Sequence, residues 1–155
     1  MKTQDHHAAL HRGFVWQVPE RLNWFDLCCA RWARLRPQAT ALVAENERGE
    51  VQRFSYAQLH ADALRIAAAL ASLGVARGDR VAIVLPQRCE TAVAQMAVSA
   101  LGAVAMPLSM LFGPEALAYR IENSGAKVAI ADEHSIDALL AAARTCPMLA
   151  QIVSV

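Results

Sequence analysis

Apolar and polar positions alternate in two distinct ways along the second half of the chain. Short, nearly continuous apolar runs occur at RVAIVLP (80–86), AVAMPL (103–108), KVAIAD (127–132) and QIVSV (151–155), and they are typical of strands that are covered on both faces. Longer segments with helical spacing separate them, namely CETAVAQMAVSALG, PEALAYRIENSG and SIDALLAAARTC. Because strands alternate with helices, the pattern predicts an α/β fold: a doubly wound, mostly parallel sheet with flanking helices.

The first half predicts two further helices and a hairpin. Asn23 can cap a helix that ends at Pro37 and whose apolar positions are Trp24, Leu27, Cys28 and Trp32. TALVAE and VQRFS are β-prone runs, and Gly49 lies in the turn of the hairpin that they form. Ser55 then caps a long helix that Gly74 ends, with a buried stripe at Leu59, Ala63, Ile66, Leu70 and Leu73.

Two boundaries follow from the same pattern. Residues 1–18 are polar and are expected to form a loosely ordered tail, and we interpret His6, His7 and His11 as part of this solvated tail rather than as a metal site. Residues 19–155 form the α/β part, which stops on an apolar strand at Val155. Since complete proteins usually cover such an edge, we expect the chain to be part of a longer protein.

Composition and charge exclude several classes of partner. Among 155 residues 55% are apolar, and the formal net charge is +1, which gives no reason to predict binding to nucleic acid. The N-terminus lacks the apolar region of a signal peptide, and no apolar run is long enough for a membrane span. The four cysteines, Cys28, Cys29, Cys89 and Cys146, show no metal-ligand spacing, and we interpret them as reduced, mostly buried thiols of a cytoplasmic protein.

The strand, turn, helix, strand unit from Gly74 to Leu108 is of the kind that usually holds a nucleotide, yet its first turn, Pro86-Gln87-Arg88, contains no glycine. Neither of the glycine-rich phosphate-binding patterns, G-x-x-x-x-G-K-[ST] and G-x-G-x-x-G, occurs in the chain, and no G-x-S-x-G motif is present. If this protein handles a nucleotide, its phosphates are held elsewhere.

Two segments after predicted strands are candidate binding residues. Asp132 and Glu133 follow KVAIA at the sheet edge where α/β proteins bind ligands, and they can either hold a ribose or simply start a loop and cap a helix. The segment from Met110 to Gly113 precedes a helix that Pro114 begins and Gly125 ends. The helix N-terminus offers N–H groups to an anion, and Met110, Leu111 and Phe112 offer apolar surface to a flexible chain, or else pack against another layer of the protein. Arg120 can form an ion pair with a glutamate of the same helix or contact a ligand.

Taken together, three segments resemble the N-terminal part of the adenylate-forming acyl-CoA synthetases, the AMP-dependent synthetase/ligase family. They are RLNWFDLCCARWARLRPQATALV, FSYAQLHADALRIAAALASLGVARGDRVAIVLPQ and ETAVAQMAVSALGAVAMPLSMLFGPEALAYRIENSGAKVAIADE. The resemblance runs from about Val18 to Val155, and the stretch from Asn23 to Ala33 is similar to the short- and medium-chain branch. On this basis residues 19–155 are a partial N-terminal α/β subdomain, the incomplete first part of the family's large N-terminal domain.

The resemblance implies a two-step reaction. A carboxylic acid and ATP, with Mg²⁺, give an acyl-adenylate and pyrophosphate, and CoA then attacks the acyl carbonyl. It also implies that the phosphate loop, the acyl pocket and the catalytic lysine lie downstream. The turn Pro86-Gln87-Arg88 is then scaffold, and no catalytic residue or metal ligand is assigned within residues 1–155. The possible CoA surface is Met110, Leu111, Phe112 and Gly113. Some members carry arginines after the strand that ends here at Asp132, but the run ADEHSIDALL has none.

Three interpretations follow from these observations. The first is the N-terminal portion of an acid–CoA ligase, inactive as this isolated chain, to which ATP, Mg²⁺ and CoA do not bind tightly. The second is a non-catalytic module that binds CoA or a partner chain. The third is a self-contained flavodoxin-like domain, against which the missing phosphate loop argues. In the first two cases the exposed sheet edge predicts self-association of the isolated chain.

Overall fold

The computed structural model describes residues 6–155, apart from the side chain of Ala9. Its elements are α1 (His7–Gly13), a π-helical turn (Asp26–Ala30), α2 (Arg31–Leu35), β1 (Thr40–Glu45), β2 (Val51–Ser55), α3 (Tyr56–Ser72), β3 (Arg80–Val84), α4 (Cys89–Ala100), β4 (Val104–Pro107), α5 (Pro114–Ser124), β5 (Val128–Ala131), α6 (Ile136–Ala143) and β6 (Gln151–Ser154). Every strand and helix that the apolar pattern predicts is present, with bounds that differ by a few residues. The short helix α1 lies in the segment predicted as a loose tail, of which residues 1–5 lie outside the described residues.

The last four strands form one parallel sheet in the order β4-β3-β5-β6. This arrangement confirms the predicted fold class. The chain passes from β4 on one side of β3 to β5 on the other, so the strand order reverses between β3 and β5. In open α/β sheets the crevice beyond the carboxyl ends of two such strands is the usual ligand site.

The core lies on both faces of this sheet, because successive side chains of a strand point to opposite faces. Val81, Ile83, Val128 and Ile130 pack with α3 and α4. Alternate positions on the same two strands pack with α5 and α6, and these are Ala82, Val84, Ala129 and Ala131. The sheet therefore has helices on both sides, as the doubly wound prediction requires. Strand β4, predicted as buried, is an edge strand, and Val104 is half exposed.

The π-helical turn, α2 and the hairpin pack beside α3 rather than on the sheet. The hairpin pairs β1 with β2 antiparallel, and Ser55 and Gln58 form a capping box at the start of α3. Asn23 caps the helical segment that contains the π-helical turn and α2, as predicted. Its Oδ1 accepts from the Asp26 N–H at 3.2 Å.

The predicted buried faces of two helices are partly wrong. Before α2, the buried residues are Phe25, Cys29 and Ala30, whereas Trp24 is 54% exposed and Leu27 is 39% exposed. The physical reason is the π-helical turn, which rotates the face that meets α3 away from the 3.6-residue spacing that the prediction assumes. On α3, Ala67 is buried instead of Leu73, which is 40% exposed.

Candidate functional site

The carboxyl edge of the sheet brings together the turn after β3 and the turn after β5. Arg88 and Glu90 lie at the first turn, and Asp132 and Glu133 lie at the second. The structure therefore brings the two predicted binding residues, Asp132 and Glu133, next to the turn that we interpret as scaffold. The location is the crevice between β3 and β5, where the strand order reverses.

Arg88 lies among three carboxylates. Its guanidinium makes a two-pronged ion pair with Glu90, in which Nε is 2.8 Å from Oε2 and Nη2 is 3.3 Å from Oε1. The remaining nitrogen, Nη1, is 3.7 Å from Asp132 Oδ2 and 3.6 Å from Glu133 Oε2, which is too far for hydrogen bonds. Because these acidic groups surround the only cation of the turn, the turn does not offer a phosphate site, which supports its interpretation as scaffold.

Asp132 is fully buried and uses one of its two carboxylate oxygens. Oδ1 accepts from the backbone N–H groups of His134 and Ser135, each at 3.1 Å, and is 3.0 Å from the Ser135 hydroxyl. That hydroxyl donates to the Val84 carbonyl at 2.7 Å and so ties the two turns together. Oδ2 is also buried but has no hydrogen-bond partner. Asp132 therefore does organise the loop after β5, and it retains an unused acceptor.

The pKa values of the acidic groups reflect these contacts. Burial raises the pKa of Asp132, but the hydrogen bonds from Ser135 and from the His134 and Ser135 backbone outweigh burial, so its pKa is lowered. The hydrogen bond from Arg88 lowers the pKa of Glu90. Both carboxyl groups are therefore ionised at neutral pH.

None of the cysteines described in the structure is in a disulfide. Burial raises the pKa of Cys89, which begins α4 beside Glu90, and burial together with Cys28 raises the pKa of Cys29 to about 11. Thiols with raised pKa values are protonated at neutral pH and are poor nucleophiles.

The predicted CoA surface divides into inward and outward residues. Met110 and Phe112 are half-buried and pack against the core beneath α5 and α6, as the structural alternative expected. Leu111, in contrast, is 90% exposed, and Gly113 is exposed at the start of α5. Only Leu111 and the helix N-terminus are thus open to a ligand.

Arg120 does not form the predicted ion pair with a glutamate within the part of the chain that the structure describes. Its guanidinium carbon lies 4.0 Å from the centre of the Phe112 ring, and Nη1 donates to the Ala116 carbonyl at 2.9 Å. The sequence prediction missed this stacking, although the lean of helical side chains toward the helix N-terminus places Arg120 on the side of Phe112.

A groove of about 600 Å³ lies on the face of the sheet that α3 and α4 cover only in part. The hairpin, α3 and the start of α4 form its walls, and its apolar lining includes Ile66, Leu70, Leu73, Ile130, Val153 and Val155. No local sequence signal marks this groove, because it depends on where α3 and the hairpin end relative to β5 and β6.

No group of three or more metal-ligating side chains occurs among residues 6–155. The rings of His7 and His11 are stacked, with their centres 5.9 Å apart. In the same part of the chain, none of the helices combines the length and the apolarity that crossing a bilayer requires.

Comparison with known proteins gives one consistent family. The model of the AMP-binding enzymes matches residues 29–155. Acetyl-coenzyme A synthetase of Pasteurella multocida (strain Pm70) is 38% identical over 117 residues, which cover 76% of this chain and 18% of that protein. The enzyme of the same name from Nitrosomonas europaea is 31% identical over 147 residues, which cover 87% of this chain and 22% of that protein.

Two solved structures have a similar fold. The anthranilate CoA ligase AuaEII, in complex with anthranoyl-AMP, has a TM-score of 0.79 at 22% identity, over 89% of this chain and 26% of that one. A fatty acyl CoA synthetase of Mycobacterium tuberculosis has a TM-score of 0.72 at 30% identity, over 84% of this chain and 26% of that one. The chain spans about a fifth of the length of the curated relatives that it matches. With the family model covering most of its length, the chain belongs to the family of AMP-binding enzymes.

Proposed function

We propose that the chain is the N-terminal portion of an ATP-dependent carboxylic acid–CoA ligase. The observation that carries this proposal is the match of residues 29–155 to the AMP-binding enzymes, together with relatives that are named acetyl-coenzyme A synthetase. The small-molecule partners are then a carboxylic acid, ATP and CoA. The flavodoxin-like alternative has no support from these relatives, although the strand order is that of the flavodoxin-like group.

In the proposed reaction the carboxylate attacks the α-phosphate of ATP, which gives an acyl-adenylate and releases pyrophosphate. The thiol of CoA then attacks the acyl carbonyl and releases AMP. Residues 6–155 do not fit a Mg²⁺ site, because their carboxylates at the sheet edge are grouped around Arg88 and no metal-ligand cluster occurs among them. We therefore derive no step of the chemistry from this part of the chain.

The contribution of this chain is a part of the CoA surface at Met110, Leu111, Phe112 and Gly113. In this proposal the exposed side chain of Leu111 contacts the flexible arm of CoA, and the α5 N-terminus faces its polar groups. The loop after Asp132 has no arginine to meet the CoA nucleotide, so the nucleotide contact must come from other parts of the ligase.

The test is pyrophosphate release from ATP with a panel of short- and medium-chain carboxylic acids. It compares the 155-residue chain with the product of the reading frame extended past Val155. We expect release only from the extended product, with a variant of the lysine in its phosphate loop as the control. Release by the 155-residue chain would overturn the proposal, because nucleotide would then be held by residues that we interpret as scaffold.

A second candidate is a non-catalytic module that binds CoA or a partner chain. The observation that favours it is the open groove, whose lining continues to the edge strand β6. Either candidate predicts that the isolated chain self-associates, because an unpaired strand edge and an apolar groove are both exposed. Light scattering after gel filtration checks this, and a monodisperse, cooperatively melting monomer would contradict it. A cytoplasmic location stays a prediction.

A further inference from the structure

The loop between β4 and α5 has few hydrogen bonds that fix its position. Its start is attached to the sheet by the Leu108 N–H, which donates to the Ile83 carbonyl at 2.9 Å. Within residues 109–112 the bonds are internal: the Leu111 N–H donates to Ser109 Oγ and the Phe112 N–H donates to the Ser109 carbonyl, both at 3.2 Å. At the end of the loop the Gly113 carbonyl accepts from the Leu117 N–H of α5 at 3.0 Å, but no hydrogen bond joins residues 109–112 to that helix.

Arg120 joins this part of the loop to α5, in addition to the packing of Met110 and Phe112 on the core. Its guanidinium carbon lies over the Phe112 ring while Nη1 donates to the Ala116 carbonyl, so one side chain links the loop to the first turns of α5. Within residues 6–155 no carboxylate lies within ion-pair distance of this guanidinium, so stacking on the ring is its main charge contact. A guanidinium can stack on a ring and donate in its own plane at the same time, whereas an ammonium has no such plane.

We propose that Arg120 is a positioning residue that fixes the loop from Ser109 to Gly113 through its stacking on Phe112. With Phe112 held inward, the backbone turns so that Leu111 stays exposed beside the N-terminus of α5. The importance of this arrangement for CoA rests on the proposed function, since that loop is the candidate CoA surface. The positioning itself does not depend on it.

The first test measures hydrogen exchange at the Leu111 and Phe112 amides in the 155-residue chain. We expect Arg120→Met to speed exchange there roughly two- to fivefold, the factor that corresponds to one cation–π contact. Arg120→Lys should restore part of the protection. Arg144→Met, which removes an exposed arginine from the end of α6, is the matched control and should change nothing at the loop.

A second variant keeps the test valid if Arg120→Met unfolds. Phe112→Leu removes the ring and leaves Arg120 in place. In the parent chain the side-chain protons of Arg120 should show the upfield NMR shift of groups above a ring, and this shift should disappear in Phe112→Leu. Unchanged exchange at the loop in Arg120→Met, or no ring shift in the parent chain, would overturn the positioning role.

The last measurement separates this inference from the proposed function. In the extended product, Arg120→Met should raise the KM for CoA while ATP-dependent pyrophosphate release keeps its rate. If amide exchange at the loop is faster but the KM for CoA of an active enzyme is unchanged, the loop is not part of the CoA surface. The proposed ligase function is then unaffected. An extended product without ligase activity would overturn the proposed function, and the exchange result would still decide the role of Arg120.

Discussion

The arginine side chains at the two ends of the parallel sheet differ in the hydrogen bonds that they make. At the amino end, Arg80 donates to three backbone carbonyls, those of Ser124 at 2.6 Å, Gly78 at 3.1 Å and Gly125 at 3.2 Å. At the carboxyl end, Arg88 reaches Asp132 and Glu133 only at 3.7 and 3.6 Å. At the amino end the guanidinium thus finds hydrogen-bond acceptors within the protein. At the carboxyl end one buried acceptor, Asp132 Oδ2, has no hydrogen bond.

This difference makes the amino end the better hydrogen-bonded of the two and leaves the carboxyl end as the candidate ligand-binding edge. Buried polar groups are normally hydrogen-bonded, because removing a polar group from water without a new hydrogen bond costs free energy. An end that leaves such a group unpaired, at the point where the strand order reverses, has the character of a ligand-binding edge. All stability measurements use one fixed protein concentration, since association shifts apparent stability.

The largest effect is expected at the amino end. Arg80→Met removes three hydrogen bonds from a charged donor and should lower the free energy of unfolding by about 2–3 kcal/mol. Urea unfolding followed by circular dichroism measures it. Arg53→Met, on the exposed face of the hairpin, is the matched control and should stay within about 0.5 kcal/mol of the parent. A loss at Arg80 no larger than that of the control would refute the assignment of stability to this end.

The second prediction concerns Gly125, which has a φ of +64° and ends α5. A Cβ at this position would lie 2.8 Å from Arg80 Nη2, whose hydrogen bonds resist displacement. Gly49 also has a positive φ, +76°, but has no atom within 4 Å of such a Cβ. Gly49→Ala should therefore cost only the backbone strain, about 1 kcal/mol, and Gly125→Ala clearly more. Equal losses of stability in the two variants would show that the Arg80 side chain moves away from the added Cβ at little cost in free energy.

Most of the fold could be predicted from the sequence, because local patterns determine it. Continuous apolar runs marked β3 and β5, while Ser55 and Gly125 marked helix ends. The hydrogen bonds from Arg80 to the Ser124 and Gly125 carbonyls could not be predicted, since these residues are 44 and 45 positions away from Arg80 along the chain.

The candidate site shows the same limit. The sequence predicted Asp132 and Glu133 at the sheet edge where α/β proteins bind ligands, but no sequence pattern indicated that Arg88 would lie between them and Glu90. That juxtaposition exists only because β3 and β5 are neighbours in the sheet although β4 lies between them in the chain.

At the carboxyl end, Asp132→Asn should change stability by less than about 1 kcal/mol. The asparagine oxygen can still accept from the His134 and Ser135 N–H groups, and the lost charge had no hydrogen bond at Oδ2. Asp132→Ala, which removes that acceptor as well, should cost clearly more in the same urea titration. If Asp132→Asn costs as much as Asp132→Ala, the Asp132 charge contributes to folding, and the contrast between the two ends fails.

The smallest effect is a pH dependence. The hydrogen bond from Lys127, 2.9 Å from Asp79 Oδ1, lowers the pKa of Asp79 below its usual 3.8, with the Ala76 N–H contributing further. Because the folded state favours the carboxylate, this stabilisation is fully present above pH 3.8 and is lost as the pH falls through the lowered pKa. At the other end, the hydrogen bond from Arg88 lowers the pKa of Glu90 below its usual 4.5 in the same sense.

Lys127→Met should therefore lower Tm slightly at pH 7, and the difference from the parent should shrink below pH 3.8. The corresponding difference for Arg88→Met should begin to shrink at a higher pH, below 4.5, because a glutamate carboxylate is protonated at a higher pH than an aspartate carboxylate. Both pairs are partly exposed, so 1 M salt should reduce both differences. A Tm difference for Lys127→Met that persists unchanged into strong acid would mean that Lys127 acts through its packing rather than through Asp79. The charged groups that stabilise the amino end through hydrogen bonds would then be Arg80 and Asp79, which accepts from the Ala76 N–H at 2.8 Å, without the Lys127 pair.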